Sequence, residues 1–242
     1  MARQGLHFGL VALFLLALGV AGPYGIARAS LLDDQRYPAS GERLLLWVSS
    51  ERGRDALEAS AAEALSAAGV AVWSLDPSSS YFLPQLPRSM DAIPAQDVAN
   101  WIRSALASGK RVTVYAVARS AVPVLRALAM LEPTERSAVC VILMYPNLYS
   151  VAEPLAEPDY LDLGALDGAM IRVLQPRRSA ATPWLPGLVK TLQMRGAGVS
   201  TTMLENLRER FWARETPTEY EIAEGRRLDV LLLREMESCG NR

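Results

Sequence analysis

Ser120 is the residue of this chain whose surroundings most suggest chemistry. It comes after an apolar β-type run, Val112-Thr113-Val114-Tyr115-Ala116-Val117, and precedes a helix-type run, Val122-Pro123-Val124-Leu125. A serine on a sharp strand-to-helix turn offers its hydroxyl to a substrate as a nucleophile. At neutral pH that hydroxyl needs a base. The one histidine, His7, lies in an apolar N-terminal segment that reads as an export signal. Lys110 precedes the strand, at its opposite end, and Lys190 falls inside a helical run. Ser120 is therefore the candidate catalytic nucleophile, without an identifiable base. The alternative is a small residue that merely fits a turn.

A second group of residues points to anion binding. Arg119 stands beside Ser120 at a helix start, where free backbone N–H groups favour negative charge. Arg177 and Arg178 come after one strand-like run, and Arg208 after the last. Guanidinium forks grip carboxylate or phosphate bidentately. Arg119, Arg177, Arg178 and Arg208 are thus the candidate ligand site; the plainer reading is loop arginines solvated or paired with acids. Glu51, Asp76 and Glu205 lack D-x-D spacing, so no metal site is expected, and no cofactor motif is found. Tyr81-Phe82-Leu83 and Phe211-Trp212 fit a pocket wall or partner contact as well as loop packing.

The positioning elements alternate after residue 40. Short apolar runs at 44–49, 70–75, 111–117, 139–145, 170–174 and 199–204 read as buried strands. Between them, 55–68, 94–108, 122–131 and 184–194 read as helices, with Gly69 and Gly109 as stops. Thr218–Glu237 reads as one terminal amphipathic helix. Residues 76–87 read as loop, and 147–168 hold no clear element. Apolar strands separated by helices predict an α/β fold of three layers, α/β/α, with a mostly parallel central sheet.

The segment centred on Ser120 resembles the G-x-S-x-G nucleophile elbow of the α/β-hydrolase superfamily, and the order of elements from about residue 41 to 242 is similar to a compact hydrolase core. With its Ser80–Pro84 loop (SYFLP), the chain also loosely resembles exported bacterial VirJ-type proteins. The resemblance implies an α/β-hydrolase-like fold. It also implies an acid after the penultimate strand and a histidine after the last. This chain has Gln175-Pro176-Arg177-Arg178-Ser179 and Glu205-Asn206-Leu207-Arg208-Glu209-Arg210 there. With Ser120 central, Ala118 and Val122 stand where the elbow has glycines. The oxyanion loop is replaced by Ser49-Ser50-Glu51-Arg52-Gly53.

Residues 1–29 read as a signal peptide. Arg3 supplies a basic start, Phe8–Ala21 an apolar core, and Ala27-Arg28-Ala29 a cleavage site. An uncleaved anchor is the competing reading. Residues 30–242 then form one domain, periplasmic or secreted, with no stable membrane span after processing. Losing Arg3 and Arg28 from 25 basic residues against 26 acidic ones leaves an acidic excess. That balance argues against nucleic acid as partner. The dominance of arginine over lysine fits a GC-rich bacterial genome. Cys140 lies in an apolar run and is read as a buried free thiol, although export permits a disulfide with Cys239. The leading expectation is an exported bacterial binding or accessory module without an intact triad, partnered by an anionic small molecule or an envelope protein. The alternatives are an ester- or lipid-type serine hydrolase using Ser120 with an unrecognised base, and a structural partner in an envelope assembly.

Overall fold

The structure, a computed structural model, describes residues 34–151 and 158–240. The segment read as an export signal, with its Ala27-Arg28-Ala29 site, lies outside the described residues. Among the described residues no helix is long and apolar enough to cross a membrane.

In chain order the elements are β1 (Asp34–Tyr37), β2 (Arg43–Val48), α1 (Ala56–Ala67), β3 (Val70–Leu75), α2 (Pro77–Ser80), α3 (Ala95–Leu106), β4 (Arg111–Val117), α4 (Ala121–Ala129), α5 (Pro133–Ser137), β5 (Val139–Met144), β6 (Tyr149–Val151), β7 (Asp159–Tyr160), β8 (Met170–Pro176), α6 (Leu185–Met194), β9 (Gly198–Leu204), α7 (Glu219–Gly225) and α8 (Leu228–Gly240). The main sheet runs β1-β3-β2-β4-β5-β8-β9. Only β1 is antiparallel, against β3. This is the expected three-layer, mostly parallel α/β architecture.

Strand periodicity explains the layers. Successive side chains point to opposite faces. Leu44, Leu46 and Val48 of β2 join one core with Val114, Val141, Ile102 and Leu128. Leu45 and Trp47 join the other, with Tyr115, Ile142, Leu65 and Leu232. Helices α3, α4 and α6 therefore cover one face, and α1 and α8 the other. Both faces being covered, β5 (VCVILM) is apolar and buried throughout.

The chain places β3 on one side of β2 and then β4 on the other. That reversal opens a crevice at the carboxyl ends of β2 and β4, where open α/β sheets bind ligands. Val48 pairs with Ala116, and Val117 with Met144, so the strands end together at this edge.

Four expectations need correction. Residues 147–168 contain the antiparallel pair β6 and β7. Residues 76–87 contain α2, whose first turn is capped by Asp76. The terminal helix breaks into α7 and α8. Gly225 ends α7, and a Cβ there would stand 2.9 Å from the Trp212 Cα, so only glycine allows the approach. Finally, Cys140 is not a free thiol: it is bonded to Cys239, with Cα atoms 6.0 Å apart and a sequence separation of 99. Nothing local in either cysteine's sequence reveals this, because α8 reaches β5 only in the folded chain. The same helix is held by Glu235, buried, which accepts from Arg172 of β8 at 2.6 Å.

Closing so long a loop restricts the unfolded chain. Reduction, or Cys239→Ser, is expected to lower unfolding free energy by about 2–5 kcal/mol. Urea denaturation with and without reductant measures this; identical midpoints would mean that the bridge contributes nothing.

Candidate functional site

The turn after β4 is built from three consecutive residues, Ala118, Arg119 and Ser120. Ala118 has φ +54°, a left-handed backbone uncommon outside glycine. Its carbonyl accepts from the Asn147 N–H at 3.1 Å. Ser120 stands two residues further on and is fully buried. Its Oγ accepts from the Val117 N–H at 2.8 Å. The hydroxyl proton lies within reach of the Val117 carbonyl at 2.7 Å and the Val48 carbonyl at 3.1 Å. The side chain thus fastens the turn to the ends of β2 and β4. Within this turn the left-handed residue is thus Ala118, two positions before Ser120.

A cavity of about 490 Å³ lies over Ala118 at the crevice. Its walls include Glu51 after β2, Arg119 after β4, Tyr145 and Asn147 after β5, and Glu209, Arg210 and Arg214 after β9. Five described non-glycine residues have left-handed φ: Phe82, Ala118, Tyr145, Asn206 and Arg210. Three of these, Ala118, Tyr145 and Arg210, line the cavity. Each such conformation costs on the order of 1–3 kcal/mol and tends to cluster at functional sites.

The four candidate arginines are not brought together. Arg119 borders the cavity, but its guanidinium is occupied. It donates to Asp91 at 2.7 and 2.5 Å, to Asn147 at 3.2 Å and to the Tyr149 carbonyl. It ties the turn at 87–92 and the segment after β5 to the elbow. Arg177 pairs with Glu205 at 2.8 Å on the surface, holding the Glu205 carboxyl below its ordinary range. Arg178 is exposed beside it. Arg208 donates through Nε at 2.7 Å to Glu221, which is fully buried. Hydrogen bonding from Arg208 lowers the Glu221 carboxyl to about 2. Arg177, Arg178 and Arg208 do not line the cavity. The acids considered for a cation are also apart, since Asp76 caps α2 and Glu205 holds Arg177. Tyr81 donates to Asp97 at 2.6 Å, Phe82 is 96% exposed, and Phe211 and Trp212 are buried in the core.

Residues missed at the site are Tyr145, Glu209, Arg210 and Arg214. Tyr145 reads as the last residue of a strand, yet β5 ends at Met144 and the left-handed Tyr145 lies beyond it. The other three come after β9 in a charged stretch that resembles any solvated loop. Glu58, in the first turn of α1, carries no sequence signal either. It is buried and accepts from Ser49 Oγ at 3.3 Å. Desolvation, reinforced by Asp55, raises its carboxyl to about 8, while Ser49 and Arg210 oppose the rise.

No protein-family model matches the sequence, and a comparison with curated proteins finds no match either. Solved structures do resemble the fold. A provisional dienelactone hydrolase from Klebsiella pneumoniae subsp. pneumoniae superposes with TM-score 0.60 at 13% identity, covering 87% of this chain and 93% of its own. An esterase from Pyrobaculum calidifontis gives 0.54 at 13% identity over 84% and 82%. Est1E from Butyrivibrio proteoclasticus, with ferulic acid bound, gives 0.53 at 11% identity over 85% and 96%. The chain has the α/β-hydrolase fold; identities this low carry the fold alone.

Ser120→Ala leaves the buried Val117 N–H without its acceptor, so it should cost about 1–3 kcal/mol of stability. Chemical denaturation measures it, and an unchanged midpoint would contradict the fastening role. Glu58 has a folded pKa above its unfolded value near 4.5. Its contribution is therefore full below about pH 4.5 and is lost as pH rises toward 8. Relative to Glu58→Gln, the native protein should lose melting temperature between pH 5 and 8; parallel melting curves would show that Glu58 does not titrate there.

Proposed function

We propose that the chain is an exported α/β-hydrolase-fold protein that binds a ligand in the cavity over Ala118 without hydrolysing it, serving as a binding or accessory module. The observation that carries this reading is the methyl group of Ala118 at the left-handed turn after β4. A hydrolase of this fold presents its nucleophile from such a turn. Ser120 is the nearest hydroxyl on the turn, and reaching the cavity would require breaking its bonds to β2 and β4. No histidine stands in the described residues to act as base. A general base alone contributes about 10²–10⁴ in rate.

Export is proposed on two grounds. The first is the signal-like start ending at Ala29. The second is the Cys140–Cys239 bridge, since disulfides persist mainly in oxidising compartments. On this reading the mature chain begins at Ser30 and resides in the periplasm or outside the cell.

The esterase alternative draws on the structural neighbours described as esterases. It requires Ser120 to act with an unrecognised base. Intact-mass spectrometry of native protein treated with a fluorophosphonate separates the readings. The expected species starts at Ser30, retains the disulfide and carries no adduct. Ala118→Ser supplies a hydroxyl at the turn and serves as the comparison. Stoichiometric labelling of the native protein, lost in Ser120→Ala and accompanied by ester turnover, would establish the hydrolase instead. A mass including residues 1–29 would overturn cleavage.

A further inference from the structure

Eight buried side-chain polar atoms lack a hydrogen-bond partner among the described residues. Six belong to the neutral side chains of Tyr37, Trp47, Trp101, Tyr115, Tyr145 and Trp212. Two belong to charged groups: Glu51 Oε2 and Arg214 Nε. Both charged residues line the cavity over Ala118, as does Tyr145. An ionised group taken out of water without a partner is costly, and native proteins avoid it. Two residues of opposite charge, each with one such atom, thus stand in the wall of one cavity, which suits a ligand carrying two opposite charges.

The neighbouring charges fit such a ligand. Arg119 is neutralised by Asp91, so it offers little to a ligand. Arg210 also lines the cavity, and its side chain makes no hydrogen bond or ion pair among the described residues. It stands four positions from Arg214 on the same loop. The Arg214 Nη1 is held by the Glu209 carbonyl at 3.2 Å, which fixes the guanidinium while leaving Nε unbonded. Glu209 is engaged by the Ser179 hydroxyl, and Arg52 and Glu215, of opposite charge, are exposed at the rim. The wall therefore offers the carboxylates of Glu51 and Glu209, the latter already bonded to a hydroxyl, and the guanidinium groups of Arg210 and Arg214. A purely anionic ligand would meet Glu51, and a purely cationic one would meet Arg210 and Arg214.

We infer that the cavity takes a short peptide with free termini, its ammonium on Glu51 and its carboxylate on Arg214 and Arg210. The inference rests on the non-catalytic binding reading and deepens it. A carboxylate suits a guanidinium fork. A peptide of two or three residues, at about 3.3–3.6 Å each, is short enough for a cavity of this volume. A volume of 490 Å³ lies within the roughly 300–1,000 Å³ of small-molecule sites.

Native mass spectrometry of the disulfide-intact protein provides the test, using mixed-sequence tripeptide pools. One pool has free termini, one is N-acetylated, one is C-amidated and one is capped at both ends. Adducts are expected from the free pool, with each cap weakening binding at least tenfold. Glu51→Gln should lose discrimination against the acetyl cap, and Arg210→Gln against the amide cap. Glu51→Gln should also raise the melting temperature of the unliganded protein, whereas a merely structural Glu51 would lower it. Absence of adducts, or adducts indifferent to both caps, overturns the inference, with water then satisfying the two charges. Cleavage of the free peptides would instead overturn the non-catalytic reading while leaving the ligand class standing.

Discussion

The turn from β4 into α4 is the constraint on which the rest of this edge depends. A residue other than glycine is held left-handed at Ala118, and the strain has to be balanced by its surroundings. Two neighbours do this. The buried Ser120 hydroxyl bonds to both β2 and β4. The Arg119 guanidinium reaches Asp91 on one side and Asn147 and Tyr149 on the other. Residues that resemble a nucleophile and an anion receptor are thus the fasteners of the turn. Both are buried, so removing either partner exposes the full desolvation cost of the group left behind.

With the turn fixed, the crevice acquires its character from the segments that leave the neighbouring strands. β2 leads to Glu51, β5 to Tyr145, and β9 to Glu209, Arg210 and Arg214. The cavity is polar and charged, with left-handed backbone at three of its walls. The surface pair Arg177–Glu205 and the buried pair Arg208–Glu221 hold the loop after β9 in place and leave Arg210 and Arg214 facing the cavity. Ion pairs of this kind position a loop more than they stabilise a fold, since exposed pairs contribute little and buried ones carry large desolvation costs.

The fold is legible in the sequence because its signals are local. Short apolar runs such as LLLWV and VCVILM, set between helical segments, fit strands buried on both faces, and Gly69 and Gly109 mark helix ends. The close approach of Gly225 to Trp212 is not legible, because it is a contact between separate elements of the folded chain. The site is less legible than the fold. Glu51 and Arg119 already stand out in the sequence, each just after a strand-like run. Arg210 and Arg214 are not, because unpaired and paired arginines look alike in a sequence where arginine is abundant.

By itself the sequence determined the alternation of apolar strands and helices, hence the parallel sheet, and the lack of a histidine beyond His7. These depend on residue type and spacing over a few turns or one strand. Tertiary structure alone decided which residue occupies the strained turn, which arginines are spent on acids, and that Cys140 meets Cys239. The end of β4 is set by its register with β2 and β5, and moving that end by two residues exchanges Ser120 for Ala118. Such registers and pairings are set by packing between segments distant in sequence, which no local pattern encodes.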